Sequence, residues 1–408
     1  MAAAAAAAGL AACGSSGAAP NPDVVRGSTL TVYSSGPLSG RLAPRALDAL
    51  RGERLALSEA GGRSGRFRVR LRALDDASAT TGLWDPDKVS ANAREAADDP
   101  TTIAYLGEFD SGASAIAIPV LNEHSILTVT PGDTVAGLTT RRGGASGEPE
   151  KYYPAGTRTF GRIVPADDLQ AQALLAVMRD AGARRLVVID DDTLYGRTLS
   201  LRVLRTARRA GLLPADPVTV EAKKTPLSLD DQAELARTVA AARPDAVLFA
   251  GAGWAGGAAL FDAVAAAVPG ARLYGPGALA ADPTFARALG PAAAATVFTD
   301  PQLPVSALPG GSAFARRYAR AFGREPGPAA AYGYTAMSAV LAALRGARPH
   351  ANDRAAVSAA FRRLRRQRSP LGPYAITATG DSTLGTFAVL AVRDGRTVLL
   401  RTQRAARR

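Results

Sequence analysis

Residues 103–134 read IAYLGEFDSGASAIAIPVLNEHSILTVTPGDT. Ile103–Leu106 is a short apolar run of strand type. Gly112–His124 carries apolar residues at helical spacing, and Ile126–Val129 is again strand-like before the turn-forming Pro-Gly-Asp. A strand, a helix and a second strand over this length form the crossover that joins two neighbouring parallel strands.

The same alternation extends in both directions. Upstream, a strand at Ser28–Tyr33 leads through Gly36–Gly40 (GPLSG) to a helix over Leu42–Ala60, a strand at Phe67–Leu74 and a helix over Pro86–Ala97. Downstream, the polar, glycine-rich stretch Thr139–Gly156 interrupts the pattern. It restarts with helix Leu169–Ala181, strand Arg185–Ile189, helix Arg197–Ala210, strand Val218–Glu221, helix Leu229–Ala242, strand Ala246–Ala250, helix Gly256–Ala267 and strand Arg272–Tyr274. A strand at Thr296–Thr299 precedes a Pro-rich crossing, Pro301–Pro309, and helices follow near Phe314–Phe322 and Tyr332–Leu344. Tyr374–Thr377, Phe387–Val392 and Thr397–Leu400 read as strands, the last two joined by a tight turn at Arg393–Arg396. Strands alternating with helices predict an α/β fold, and the break at Thr139–Gly156 divides it into two Rossmann-like lobes of parallel sheet flanked by helices. A chain that passes between lobes several times makes a multi-strand hinge, and hinge motion follows.

The totals fit this reading. The chain has 408 residues, 47% of them hydrophobic, enough for two packed units rather than one core. The net charge of +13 does not point to nucleic acid. Lysine occurs only at Lys88, Lys151, Lys223 and Lys224, so the excess is arginine and reads as a compositional bias. The densest basic run, Arg362–Arg368, has no interleaved aromatics for base stacking and is expected to be a solvated helix face. His124 and His350 are too few for most metal or triad sites, and each reads as a surface or helix-end residue. No metal and no cofactor is expected.

Gly251, Gly253 and Gly256 of GAGWAGG have the G-x-G-x-x-G spacing of a dinucleotide loop and follow the strand Ala246–Ala250. A nicotinamide-dependent oxidoreductase would also need an acid about twenty residues on for the ribose. The next strand instead ends Tyr274-Gly275-Pro276-Gly277, and no His, Cys or Lys stands near as a proton donor. That reading stays remote, and no enzyme activity is expected.

The N-terminal MAAAAAAAGLAACGSSG is an apolar run closing on small residues. Leu10-Ala11-Ala12-Cys13 resembles a bacterial lipobox, in which Cys13 is lipid-modified; Cys13 is also the sole cysteine. The basic residues that usually precede such a run are missing, and a plain Ala-rich tail is the other reading. The expected product is exported and lipid-anchored on the outer face of the cell membrane, with residues 1–27 as signal peptide and linker.

Ile103–Thr134, with GPLSG (Gly36–Gly40), DDDTLYGRTL (Asp190–Leu199), YGYTAMSAVLAAL (Tyr332–Leu344) and GDSTLGTFAVLAVRDG (Gly380–Gly395), resembles the type I periplasmic binding proteins. Within them it is most similar to the branched-chain amino acid receptors of ABC importers, in their actinobacterial lipoprotein form. The resemblance implies a monomeric solute receptor with lobe one at 28–160 plus 301–373 and lobe two at 161–300 plus 374–408. It implies closure of the lobes over an amino acid-like or carboxylate ligand, and docking on a membrane permease. A ligand-sensing lipoprotein of the same fold without a transporter is the alternative.

The site follows from the same resemblance. Ser111 is expected at the N-cap of its helix, with Gly112 in the first turn, where a hydroxyl and free N–H groups suit a carboxylate. The matching serine in the family binds the ligand α-carboxylate, and the positions corresponding to Gly132 and Thr134 complete the grip. Tyr195 matches the tyrosine that lobe two presents to the ligand, although it also suits packing at the hinge. Trp254 is read either as an aromatic wall of the pocket or as lobe-interface packing. One departure stands out: the family's lobe-two glutamate, which pairs with the ligand ammonium, is Gly277 here. Either Asp133, Glu108 or Asp110 takes its place, or the ligand is not an α-amino acid, because an unpaired buried ammonium is costly.

Overall fold

The computed structural model describes residues 23–141, 144–220, 227–251 and 257–405. The expectations at Cys13, Gly253, Trp254 and Gly256 lie outside these residues.

The first sheet is built from β1 (Thr29–Gly36), β2 (Arg63–Ser64), β3 (Phe67–Asp75), β4 (Thr102–Leu106), β5 (Leu127–Thr130) and β6 (Phe160–Arg162). Their order is β2-β3-β1-β4-β5-β6, parallel except for the short β2. β4 and β5 are buried at every position, as strands covered on both faces must be. Helices α1 (Ala43–Glu59), α2 (Pro86–Asp98) and α3 (Ser111–Glu123) make the crossovers. Asp85 caps α2 by accepting from the Asp87 and Lys88 N–H groups, with Pro86 preset in the first turn.

The second sheet is larger. β7 (Arg185–Asp190), β8 (Leu213–Pro214), β9 (Val218–Thr219), β10 (Ala246–Ala250), β11 (Arg272–Pro276) and β12 (Thr296–Asp300) pair in parallel; the hairpin strands named below join antiparallel to β12. Between these strands run α4 (Asp167–Asp180), ahead of β7, then α5 (Leu194–Ala207), α6 (Leu229–Ala241), α7 (Gly257–Ala267), α8 (Gly277–Ala280) and α9 (Pro283–Ala288). The chain then returns to the first sheet with α10 (Gly311–Phe322), α11 (Pro328–Gly346) and α12 (Arg354–Arg362). A small separate ribbon, β13 (Gln367–Ser369) with β14 (Gly372–Tyr374), precedes the hairpin β15 (Thr386–Arg393) and β16 (Arg396–Arg404). Asp394 and Gly395 turn that hairpin with φ of 49° and 66°, the geometry of a two-residue I′ turn.

α11 is recruited by two glycine contacts. A Cβ on Gly52 of α1 would lie 2.0 Å from the Ala330 carbonyl oxygen, and one on Gly333 of α11 would lie 2.1 Å from that of Ala49. Only backbone-to-backbone approach fits there. α12 is held at its start by Arg354, whose Nε donates to the Thr102 carbonyl of β4 at 2.8 Å.

Three passages connect the sheets, and side chains tie them together. In the first, the fully buried Arg162 pairs with Asp381 of the third at 2.9 Å and donates to the Val135 carbonyl and Thr139 Oγ1. In the second, Tyr332 accepts from the Leu303 N–H and donates to the Pro301 carbonyl, while Gln302 Nε2 donates to the Pro131 carbonyl.

Three local expectations are corrected. Tyr374–Thr377 does not form a strand of a main sheet; Gly372–Tyr374 pairs in the separate ribbon, and Ile376 makes an isolated bridge with Ser382. Arg362–Arg368 is not one solvated helix face. Arg362 ends α12 and donates to the Ser358 hydroxyl, Arg366 takes a positive φ, and the chain enters β13. Val218–Glu221 contracts to the two residues of β9 among the described residues.

Candidate functional site

α3 points its N-terminus at the seam between the lobes. Asp110, in extended conformation, is its N-cap and accepts from the Gly112 N–H at 2.9 Å. The expectation that Ser111 is the cap is therefore corrected. Both residue types cap well, but Asp110 stands at the turn from β-like to helical backbone, and Ser111 falls inside the first turn. Its hydroxyl donates to Asp133 Oδ1 at 2.7 Å.

The 130–139 loop is folded around that contact. Thr130 Oγ1 accepts the N–H groups of Gly132 and Asp133 and donates to the Glu108 carbonyl. Asp133 Oδ1 also accepts from the Val135 N–H. The Thr134 carbonyl accepts from the Asp167 N–H at 2.8 Å, and Asp167 Oδ1 accepts from the Ala136 N–H, so the loop is stitched to the start of α4. Gly132 is packed under Phe109, whose ring would sit 2.8 Å from an added Cβ. Trp84 covers Gly112 in the same way, at 2.6 Å. Sequence reasoning missed both aromatic neighbours, because nothing local in the sequence ties Trp84 or Phe109 to these glycines.

From the second lobe, Tyr195 sits in the first turn of α5, which Thr193 caps through the Gly196 N–H. Its hydroxyl donates to Gln170 Oε1 at 3.1 Å, and Gln170 Nε2 donates to the Thr299 carbonyl. Leu194 and Tyr195 pack with Ala115, Ile118 and Tyr152, a cluster spanning both lobes. Asp192 pairs with Arg197 at 3.1 Å on the surface, a solvated loop carboxylate. A further contact across the seam is the ion pair of Arg41 with Asp282 at 3.6 Å, and Arg45 Nε donates to Gln302 Oε1 of the connecting segment at 2.8 Å.

The glycine at 277 has a structural counterpart. A Cβ there would lie 2.2 Å from Cγ of Asp300, a buried carboxyl at the end of the neighbouring β12. Asp300 Oδ1 accepts from the Gln302 N–H, and burial raises its pKa against the pull of Arg45. An acid therefore fills this corner from the adjacent strand.

Carboxyl groups dominate the electrostatics. Burial, reinforced by Asp133, Asp191 and Asp76, pushes Asp110 up to about 7 despite the Gly112 hydrogen bond. Behind it, Glu108 accepts from the Tyr105 hydroxyl at 2.5 Å and is raised by burial. Asp76 is pushed up to about 9 by burial and then by Glu108. One oxygen of Asp133 and one of Glu108 are buried without a hydrogen-bond partner. A carboxyl cluster of this kind favours an approaching cation, which restores the charged carboxylates and fills their open hydrogen-bonding capacity. Among the described residues, no group of His, Cys, Asp and Glu has the geometry to hold a metal ion, and no helix is long and apolar enough to cross a membrane.

A family model described as "Periplasmic binding protein" matches residues 31–396. No curated protein sequence matches the chain. Among solved structures, a leucine-binding protein from Thermotoga maritima is 20% identical with a TM-score of 0.74, over 92% of this chain and 99% of that one. A solute-binding protein of an ABC transporter from R. palustris, in complex with benzoate, is 20% identical with a TM-score of 0.70, over 93% and 98%. Another, from Rhodopseudomonas palustris HaA2 with p-hydroxybenzoic acid, is 17% identical with a TM-score of 0.73, also over 93% and 98%. At these identities the likeness is one of fold.

Proposed function

Because the chain belongs to the periplasmic binding protein family, we propose that it is an exported solute receptor that closes on a small amino acid-like ligand and delivers it to the permease of an ABC importer. The lobes are divided as 28–160 with 301–373 and 161–300 with 374–408. Cys13 anchors a monomer to the membrane by lipid, and the receptor does no chemistry of its own.

The observation that carries the ligand class is the set of carboxyls at the start of α3, Asp110 and Asp133 beside Ser111 with Glu108 buried behind them. The protein now satisfies with its own acids the donors that a ligand carboxylate would use. Gly112 N–H serves Asp110 and the Ser111 hydroxyl serves Asp133. A zwitterion exchanges partners: its carboxylate takes Ser111, Gly112, Gly132 and Thr134, and its ammonium takes the carboxylates so released. Tyr195 and Trp254 close the site from lobe two. Exclusion of water on closure strengthens each of these contacts. Binding must favour the closed form over the open one, since equal affinity for both shifts nothing.

The rings of Phe109 and Trp84 against Gly132 and Gly112 favour a second reading, an aromatic carboxylate. Titration calorimetry with matched ligands separates the two. Leucine, its deaminated acid and its decarboxylated amine are compared with benzoate. The amino acid reading predicts that leucine or another zwitterion binds and that removing either charge weakens it at least tenfold. Benzoate binding with no response to any zwitterion would reject it.

A further inference from the structure

A cavity of about 570 Å³ lies against α4, α5 and the end of β16, with Ala136 and Thr139 of the 130–139 loop in its wall and none of Ser111, Gly112, Gly132 or Thr134. Arg202 of α5 lines it and is only 8% exposed, yet its Nε and Nη2 have no hydrogen-bond partner. Arg209 and Arg404 stand at the exposed rim, together with Arg179, which is engaged by Asp180 at 3.3 Å.

The acids nearby are largely committed. Asp381 is bound by Arg162, and Asp168 accepts from the Leu169 N–H. Asp167, whose pKa burial raises and Arg202 lowers, accepts from the Ala136 N–H through Oδ1 while its buried Oδ2 makes no hydrogen bond. A buried guanidinium with two idle N–H groups carries a desolvation cost that only an acceptor can offset. Its planar fork matches the paired oxygens of a carboxylate or phosphate. The rest of the wall is mixed: Leu169 and Leu175 of α4 give it an apolar part, beside polar groups of Thr139, Gln172 and Thr206.

We propose that this cavity is a second ligand site, for a small organic anion whose carboxylate or phosphate head pairs with Arg202 while its apolar body lies on Leu169 and Leu175. The site is independent of what the inter-lobe cleft binds.

The test is titration calorimetry on the full chain with hexanoate, hexyl phosphate, inorganic phosphate and, as the reversed charge, hexylammonium. The two organic anions distinguish the head groups, and inorganic phosphate tests the need for the apolar body. One organic anion is expected to bind to wild type and to Ser111→Ala alike, at least tenfold more weakly to Arg202→Met, and hexylammonium not at all. The rim pair Arg209→Ala and Arg404→Ala, which leaves the interior intact, is expected to weaken the same anion about threefold or more. Absence of binding by both organic anions would overturn the proposal. So would equal affinity for wild type, Arg202→Met and the rim variant, or a loss on Ser111→Ala that Arg202→Met does not share.

Discussion

At the scale of single residues, the molecule is governed by polar groups in dry places. Arg162 has no exposed surface and joins the loop carrying Asp133 and Thr134 to the passage at Asp381. Arg162→Met removes the charge, costs the Val135 carbonyl its side-chain donor and leaves Asp381 only its threonine partners, Thr139 and Thr379. A loss of about 3 kcal/mol is expected in denaturant unfolding, with ligand affinity falling as the loop relaxes. Glu53 gives the opposite kind of prediction. Burial raises it to about 8, so the folded state holds a proton that the unfolded chain releases above about 4.5. Stability is therefore greatest at acid pH on this account and falls as pH rises from about 4.5 to 8. Thermal denaturation from pH 5 to 8 should show that slope in the wild type and a flatter one in Glu53→Gln. The Asp-Ser pair at 110–111 shows why such detail was hard to read in advance. Composition marks both as capping residues, and only backbone geometry decides that Asp110 takes the cap and Ser111 turns to Asp133.

Among the elements, the strands and helices of both sheets were legible because their patterns are local. Ile103–Leu106 and Ala246–Ala250 are continuous apolar runs, and α2 carries its own Asp-Pro start signal. α12 was not legible. Its apolar residues, Val357, Ala360 and Phe361, are few and lead straight into the arginine-rich run. Short strands such as β6 and β8 have too few residues to show a period and exist because a neighbouring strand is there to pair. The approach of Asp300 to Gly277 was invisible for the same reason, since the two meet only across β11 and β12. Gly277→Ala is expected to cost about 1–3 kcal/mol by crowding Asp300, and Asp300→Ala should relieve most of it. A double-mutant cycle by chemical denaturation reads the coupling, and additive effects would show that the corner is not shared. The α1–α11 contact is as tight, so Gly52→Ala should destabilise by about 2 kcal/mol or more.

For the whole molecule, function depends on how two lobes share one cleft. Arg41 with Asp282 spans the seam as a part-exposed ion pair. Such pairs contribute about 0–1 kcal/mol, so Arg41→Ala should weaken ligand binding by no more than about fivefold, and less in high salt. The receptor fold was readable from the order of five motifs, whereas the proposed charge pattern of the ligand rests on Asp76, Glu108, Asp110 and Asp133, whose burial and pairing only the fold reveals. The most direct test of the account is a thermal-shift screen of the purified protein against zwitterionic amino acids, small carboxylates and aromatic acids, repeated on Ser111→Ala and Asp133→Asn. A ligand at 100 times its Kd should add about 2.7 kcal/mol of stability. The account predicts such a shift with at least one zwitterion, and its loss in both variants. No shift with any compound, or a shift that both variants keep in full, would contradict it.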